Sequence, residues 1–396
     1  MIYCRSIFFS FCLLFSFALD AQKTLSANSE ISLLTCSPGD EAYSTFGHTA
    51  IRVKDVAQGI DYAFHYGLFD FNDPNFMTKF LRGKLMYSMG AQDMDRFVRQ
   101  YTAQKRTVYQ QILNLDQVQK EAVYNFLLEN YKPENREYLY DFFFYNCSTI
   151  VKDKFEIIFS GLQYPSEVKE ITFRQMLDEH LTKMPWTDFG IDLIIGSIAD
   201  RKASQSEQFF LPIYVHDYYA KTFIDGKPLV KDEKLMIDFI KEQNTNKNNY
   251  LTPWLVFSIF FAFELGLLIY FLTKAENKTW IQVYDKIWFF LLGIGGLILL
   301  FMWFGTDHDA TKNNWNLLWL NPLYLLLLLP QKWLNPSIKK SLALFLLLIS
   351  VVVGIGLISY FQDIHKASYL IIGGMIFKLF RYQKYVDDKF NSEAKT

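Results

Sequence analysis

The chain carries four cysteines, of which Cys36 and Cys147 lie beyond the first twenty residues. Cys147 follows Asn146 at the head of a segment in which Ile150, Val151, Phe155, Ile158 and Phe159 share one helical face, with Gly161 as its stop. A thiol at a helix start lies among free N–H groups and the positive end of the helix dipole, and both favour thiolate. Such a thiol becomes a nucleophile when an imidazole, itself oriented by a third polar group, takes its proton. His48 and His65 are the upstream candidates. In an oxidising compartment the two cysteines would also make a structural disulfide, so the residues alone leave both readings open.

The elements that must position these groups follow from hydrophobic period. Thr49, Ile51 and Val53 alternate with His48, Ala50 and Arg52, and Ile60, Tyr62, Phe64 and Tyr66 alternate with Asp61, Ala63 and His65. A period of two predicts paired, half-buried strands, hence a hairpin. Its turn falls at Gln58-Gly59, or at Val56-Ala57, which would place His48 opposite His65; the register stays open. From Asp116 the pattern is helical, with Val118, Ala122, Val123, Phe126 and Leu127 as one stripe and Asp116 with Gln119 as a capping pair.

Charge and hydropathy divide the chain. Residues 1–250 carry 27 Lys and Arg against 32 Asp and Glu, and residues 251–396 carry 13 against 9, so no basic face for nucleic acid is present. Arg5, the apolar run 7–19 and the small residue Ala21 read as a signal peptide over 1–21, which predicts export. Beyond Tyr250 the runs 251–273, 287–304, 315–329 and 341–361 approach the ~20 residues of a membrane span, and 368–377 is a shorter fifth. With the domain 22–250 outside, lysines concentrate in the inner loops 274–286 and 331–340, and five spans would put the tail with Arg381 inside, as the positive-inside rule requires. Glu264 falls mid-span, either as a functional carboxyl or as a protonated group hydrogen-bonded within the bundle.

The text around these residues resembles a known family. Phe46-Gly47-His48 opening a strand, a second His on the next, and Asn146-Cys147 opening a later helix resemble the circularly permuted papain-like enzymes, which include lecithin:retinol acyltransferase-like and NlpC-type proteins. Cys36-Ser-Pro-Gly39, Phe46-Gly-His-Thr-Ala-Ile-Arg52, Tyr66-Gly-Leu-Phe-Asp70, Tyr140-Asp-Phe-Phe-Phe-Tyr-Asn-Cys-Ser-Thr149, Gly190-Ile-Asp-Leu-Ile-Ile-Gly196 and Asn316-Leu-Leu-Trp-Leu-Asn-Pro322 are together similar to the Bacteroidota-type lipoprotein N-acyltransferases, the Lnb family. The resemblance implies an α+β permuted papain-like domain followed by an all-α transmembrane bundle. Residue 148 is Ser, where the lecithin:retinol acyltransferase type has an acid.

The activity so implied is acyl transfer at the outer face of the inner membrane. Cys147 would take an acyl chain from a phospholipid donor and pass it to the α-amine of a diacylated lipoprotein, with His48 as base and His65 or Asp61 as the third polar member. No metal or cofactor is expected, and His180 and His216 have no ligand pattern. Asn146, Arg52, His308 and Glu264 are weaker candidates for substrate contact. Arg52 would meet a lipid phosphate unless it is a paired surface charge. His308, with Asp307, Asn313, Asn314 and Asn316, would complete the acceptor site unless that loop only makes interfacial hydrogen bonds. A membrane-anchored cysteine peptidase or amidase acting on cell-wall peptides is the rival enzyme. An assembly factor with a Cys36–Cys147 disulfide is the non-enzymatic one.

Overall fold

The computed structural model describes residues 24–243, 250–273 and 279–393; the signal-peptide reading of 1–21 lies outside the described residues. The N-terminal domain is built on a seven-stranded antiparallel sheet in the order β10-β5-β1-β2-β3-β4-β6. Its strands are β1 (Glu30–Cys36), β2 (His48–Asp55), β3 (Ile60–Leu68), β4 (Met86–Asp93), β5 (Val108–Leu113), β6 (Glu137–Leu139) and β10 (Val230–Ile237). The short strands β7 (Leu162–Gln163), β8 (Phe223–Ile224) and β9 (Lys227–Pro228) form a second small sheet. Helices α1 (Phe76–Leu81), α2 (Met94–Ala103), α3 (Gln117–Tyr131), α4 (Cys147–Ile158), α5 (Phe173–Leu181), α6 (Pro185–Ile194), α7 (Gln205–Gln208), α8 (Pro212–Tyr219) and α9 (Ile240–Gln243) surround it.

The β2–β3 hairpin settles the register. Val56–Gln58 form a single 3₁₀ turn, Asp55 pairs with Ile60, and Ala50 faces His65, so His48 lies two residues diagonal to His65. Paired residues of antiparallel strands share a face. Leu34, Cys36, His48, Ala50, Ala63 and His65 therefore point to one side, where Met94, Phe97 and Tyr101 of α2 cover Leu34, Cys36, Ala50 and Ala63. Leu33, Ile51, Val53, Phe64 and Tyr66 point to the other, against Ile150, Val151 and Phe155 of α4.

Helix α3 starts on the expected Asp116/Gln119 capping box, but its buried stripe is rotated: Val118 is 77% exposed, and Lys120, Val123, Tyr124 and Leu127 face inward. The cause is Lys120, whose ammonium donates to Ala27 O and Ser29 O, both at 3.0 Å. Its stem packs while its charge satisfies carbonyls that would otherwise lack partners. Helix α4 ends at Ile158, with extended Phe159 as its cap, two residues before the expected stop at Gly161.

Among the described residues three helices are long and apolar enough to cross a bilayer: α10 (Pro253–Thr273), α11 (Thr279–Phe304) and α13 (Pro336–Gly354). The run 315–329 does not form one spanning helix. It makes a 3₁₀ turn, Trp315–Leu318, then α12 (Tyr324–Leu327), because Pro322 has no N–H to give and the polar Asn314 and Asn321 cap short turns. The last helix, α14 (Ser368–Glu393), continues well past the expected 368–377.

That continuation changes the place of Arg381, expected in an inner tail, and of Lys378 just before it. Lys378 and Arg381 are fully buried in the bundle. Lys378 pairs with Glu264 of α10, while Arg381 reaches Glu264 at 2.9 Å and Asp285 of α11 at 2.5 Å; the Tyr284 hydroxyl also donates to Glu264 at 2.5 Å. Glu264 is thus an ion-paired member of a four-charge network joining three helices. Removing one partner from such a cluster leaves an uncompensated buried charge, which is strongly destabilising.

Candidate active site

The segment Tyr140-Asp-Phe-Phe-Phe-Tyr-Asn-Cys is a turn built to present Cys147. Asp141 Oδ1 accepts the N–H groups of Phe143 and Phe144 at 2.9 and 2.8 Å, and Asp141 and Tyr145 exchange backbone bonds at 3.1 Å. Phe143 is fully buried against Phe173 and Phe210, which anchors the turn in the core. Asn146 is the N-cap, its Oδ1 accepting from Ser148 N at 2.8 Å and Thr149 N at 3.1 Å. Its Nδ2 donates to Phe142 O and Phe210 O, so Asn146 holds the helix start and has no polar group left for a substrate. Ser148 ties α4 to β2 through a 2.8 Å bond with Thr49 Oγ1.

Cys147 is the first residue of α4 and keeps partial solvent access. Its sulfur meets the Thr49 N–H, its own N–H and the Ser148 hydroxyl. Thr49 follows His48 directly and lies beyond the Ala50–His65 pair at which the β2–β3 ladder ends. The thiol therefore reaches β2 at Thr49, one residue along the strand from His48, where β2 and β3 part. Gly47 makes this entry possible: its φ is +85°, and a Cβ there would lie 2.7 Å from Cys36 O.

His48 Nε2 and His65 Nδ1 are 3.2 Å apart, with the rings edge to face. His48 Nδ1 makes no hydrogen bond among the described residues. Asp61, the other candidate for the third polar position, is held elsewhere by Arg52, which binds both its oxygens at 2.7 Å and adds Gln110 at 3.2 Å. Arg52 is accordingly a paired charge on the His48 face.

Burial is the largest influence on each titrating group. It pushes the Cys147 thiol up, against the pull of the Thr49 N–H, the Ser148 hydroxyl and the Arg106 charge. It holds His48 well below 6.5, helped by His65 and Arg106, and brings His65 to about 4. At neutral pH the site thus holds a neutral thiol and neutral imidazoles, and proton transfer must accompany attack. Cys36 is a free thiol too, 1% exposed and pushed up to about 12 by burial, which is the state of an inert core cysteine.

Arg106 has no local sequence signal and was not among the expected residues. It is buried, donates through Nε to Ser37 O at 2.7 Å, lies over the Tyr101 ring, and leaves Nη2 without a partner among the described residues. Its charge lowers the thiol and disfavours His48 protonation. Arg106→Met should therefore move the midpoint of Cys147 alkylation to higher pH, while Arg106→Lys stays near the parent. Iodoacetamide labelling against pH, read on the Cys147 peptide, checks this, and an unmoved midpoint in Arg106→Met overturns it.

Two other candidates lie at joints between domain and bundle. His308 Nε2 contacts Phe80 O at 3.0 Å, Asp307 N donates to Arg82 O at 2.9 Å, and Lys84 pairs with Asp307 at 3.5 Å, fixing the loop 305–314 to α1. Asn314 and Asn316 donate to the Asp192, Leu193 and Ile194 carbonyls in the last turn of α6, and a Cβ on Gly196 would lie 1.8 Å from Lys312 O. The asparagines of that loop are thus interfacial. Asp188, Asp192 and His365 cluster nearby. His365 Nδ1 accepts the Ala367 N–H at 3.1 Å, so the neutral ring carries its proton on Nε2 and presents N–H to Asp188 at 3.5 Å, an arrangement for pairing rather than ligation.

Fold and site define a membrane protein with a Cys/His α+β domain in which the histidine strand precedes the cysteine helix. The chain belongs to the Lnb family: the Lnb N-terminal periplasmic domain matches residues 19–179 and the Lnb transmembrane domain matches residues 244–385. Neither curated proteins nor solved structures include a match to the chain. It is therefore a membrane protein with a periplasmic N-terminal domain.

Proposed function

We propose that the protein is a lipoprotein N-acyltransferase of the inner membrane. Cys147 Sγ attacks an ester carbonyl of a phospholipid as its proton passes to His48 Nδ1. The C–O bond then breaks, His48 returns the proton to the departing lysophospholipid oxygen, and the acyl chain remains as a thioester. The α-amine of a diacylglyceryl-cysteine lipoprotein attacks the thioester, His48 takes the amine proton, and the C–S bond breaks to give the amide and restore the thiol. The Cys147 and Thr49 N–H groups, which face the sulfur at rest, are the donors nearest to the developing oxyanion. His65 holds the Nε2 side of His48 and leaves Nδ1 to the thiol.

The reading is supported by Cys147 at the α4 N-terminus, its sulfur meeting the N–H of Thr49 directly after His48 of the His48–His65 pair, in a domain joined to membrane helices. Such tethering holds a lipid donor and a lipid-anchored acceptor at one surface and raises their effective concentration. The full chain in phospholipid micelles should convert a diacylated lipopeptide to its N-acylated form and release lysophospholipid in equal amount, both read by mass spectrometry. Free fatty acid as the main product would replace transfer with hydrolysis. Cleavage of cell-wall peptides without acyl transfer would favour the peptidase.

A further inference from the structure

The segment from Leu68 to Met86, which contains α1, exposes large apolar side chains with no protein cover. Phe71 is 69% exposed and Met77 62%, and Phe80, Leu81 and Met86 are each more than 40% exposed. Aromatic and aliphatic groups clustered like this on a domain surface mark an interaction site. The segment's position identifies the partner. Its Phe80 and Arg82 carbonyls are bonded to His308 and Asp307, a few residues past Phe304, where the spanning helix α11 ends beside Trp303. That is the level of the outer lipid headgroups, where aromatic side chains gather. Arg82 there is exposed and its guanidinium makes no ion pair or hydrogen bond among the described residues.

Rings lead inward from this tip. Phe76 contacts Phe69 at 5.8 Å, Phe69 contacts Tyr87 at 5.3 Å, and Tyr87 stacks on Tyr140 at 4.6 Å. Tyr140 belongs to the turn that presents Cys147 and lies close enough to feel the thiol's charge. Leu68 follows Gly67, where an added Cβ would lie 3.9 Å from the His48 ring. Both ends of the segment thus run back to the thiol site.

We propose that the Leu68–Met86 segment is a lipid-docking element, with its apolar tip among the acyl chains of the outer leaflet and its ring wall guiding one phospholipid toward Cys147. Docking stands on geometry alone; that the guided lipid is the acyl donor rests on the proposed function. Helices lying in an interface bind through apolar area together with basic residues attracted to phosphate; α1 offers the apolar area, and Arg82, which caps it, the charge.

The test uses the full chain in phosphatidylethanolamine/phosphatidylglycerol vesicles, with the photoreactive residue p-benzoylphenylalanine in place of Met77 and, as a control, of Val118, which is 77% exposed on α3. Irradiation should give phospholipid adducts at position 77 and none at 118. Absence of adducts at 77, or equal yields at both positions, overturns docking. The second measurement is Met77→Glu with Leu81→Glu, compared on vesicle phospholipid and on a soluble short-chain thioester. The expected result is a rise in apparent KM for vesicle lipid of about tenfold or more, with thioester turnover unchanged. An equal loss on both substrates means a folding role and overturns guidance. Adducts at 77 in a protein that transfers no acyl group would leave docking standing while the proposed function falls.

Discussion

Cys147→Ala is expected to lower acyl transfer by about 10⁴-fold or more, the scale at which loss of a nucleophile removes the covalent route, while Cys36→Ala keeps most of the activity. The two thiols share a domain and are both pushed up by burial, but they differ in exposure and in the donors they meet. Cys36 ends β1, pairs through its backbone with His48, is covered by α2 and is held protonated by burial up to about 12. Cys147 opens a helix, meets two N–H groups and is partly open to solvent. The check is a hydroxylamine-sensitive acyl adduct on the Cys147 peptide after brief exposure to phospholipid, present in the parent and in Cys36→Ala and absent from Cys147→Ala. Equal losses in both variants, with a Cys36–Cys147 peptide in the unreduced digest, would return the pair to a structural role.

Much of this site was legible in the sequence because its determinants are local. Alternation marked β2 and β3, and an Asn before a Cys that heads an apolar helical face marked the start of α4. What local pattern cannot carry is the choice among partners. The hairpin register depends on a four-residue connection, 56–59, that admits more than one pairing; the observed one sets Ala50 opposite His65 and leaves His48 diagonal. Asp61 shares a face with His65, yet Arg52 on the neighbouring strand captures both its oxygens. Arg106 follows the end of α2 with nothing nearby to single it out, and it gains its role only when β5 lies beside β1.

The membrane region repeats the lesson at larger scale. Hydropathy marks apolar runs but not where a helix ends within or beyond them. Arg381 reads as part of a basic tail that follows Lys378, and only the packing of α14 against α10 and α11 reveals that Glu264 and Asp285 receive both charges. Spacing does hold a trace of this: 378 and 381 are one helical turn apart, so both face the same neighbours. Pro322 breaks the run 315–329, expected to be one span, because a proline that follows Asn321 inside an apolar run interrupts its helix.

His48→Ala should cost about 10²- to 10⁴-fold in kcat/KM, the usual worth of a positioned general base, and His65→Ala less. The asymmetry follows from the 3.2 Å contact: His48 Nε2 is occupied by His65, so only His48 Nδ1 can serve the thiol, and His65 acts through His48 as a positioning residue. A pH profile separates that role from simple packing. The working form of His48 is neutral, and burial, His65 and Arg106 all hold its pKa well below 6.5, so the acid limb of kcat/KM in the parent lies below pH 6.5. Removing the His65 ring takes away one of those influences and admits water. The His48 pKa then rises, and the acid limb of His65→Ala moves upward toward 6.5. His65→Gln, which retains a hydrogen-bonding group, should recover part of the rate. Near-normal turnover in His48→Ala removes it from the mechanism, and a lower rate in His65→Ala with an unmoved acid limb and no recovery in His65→Gln reduces His65 to a packing residue.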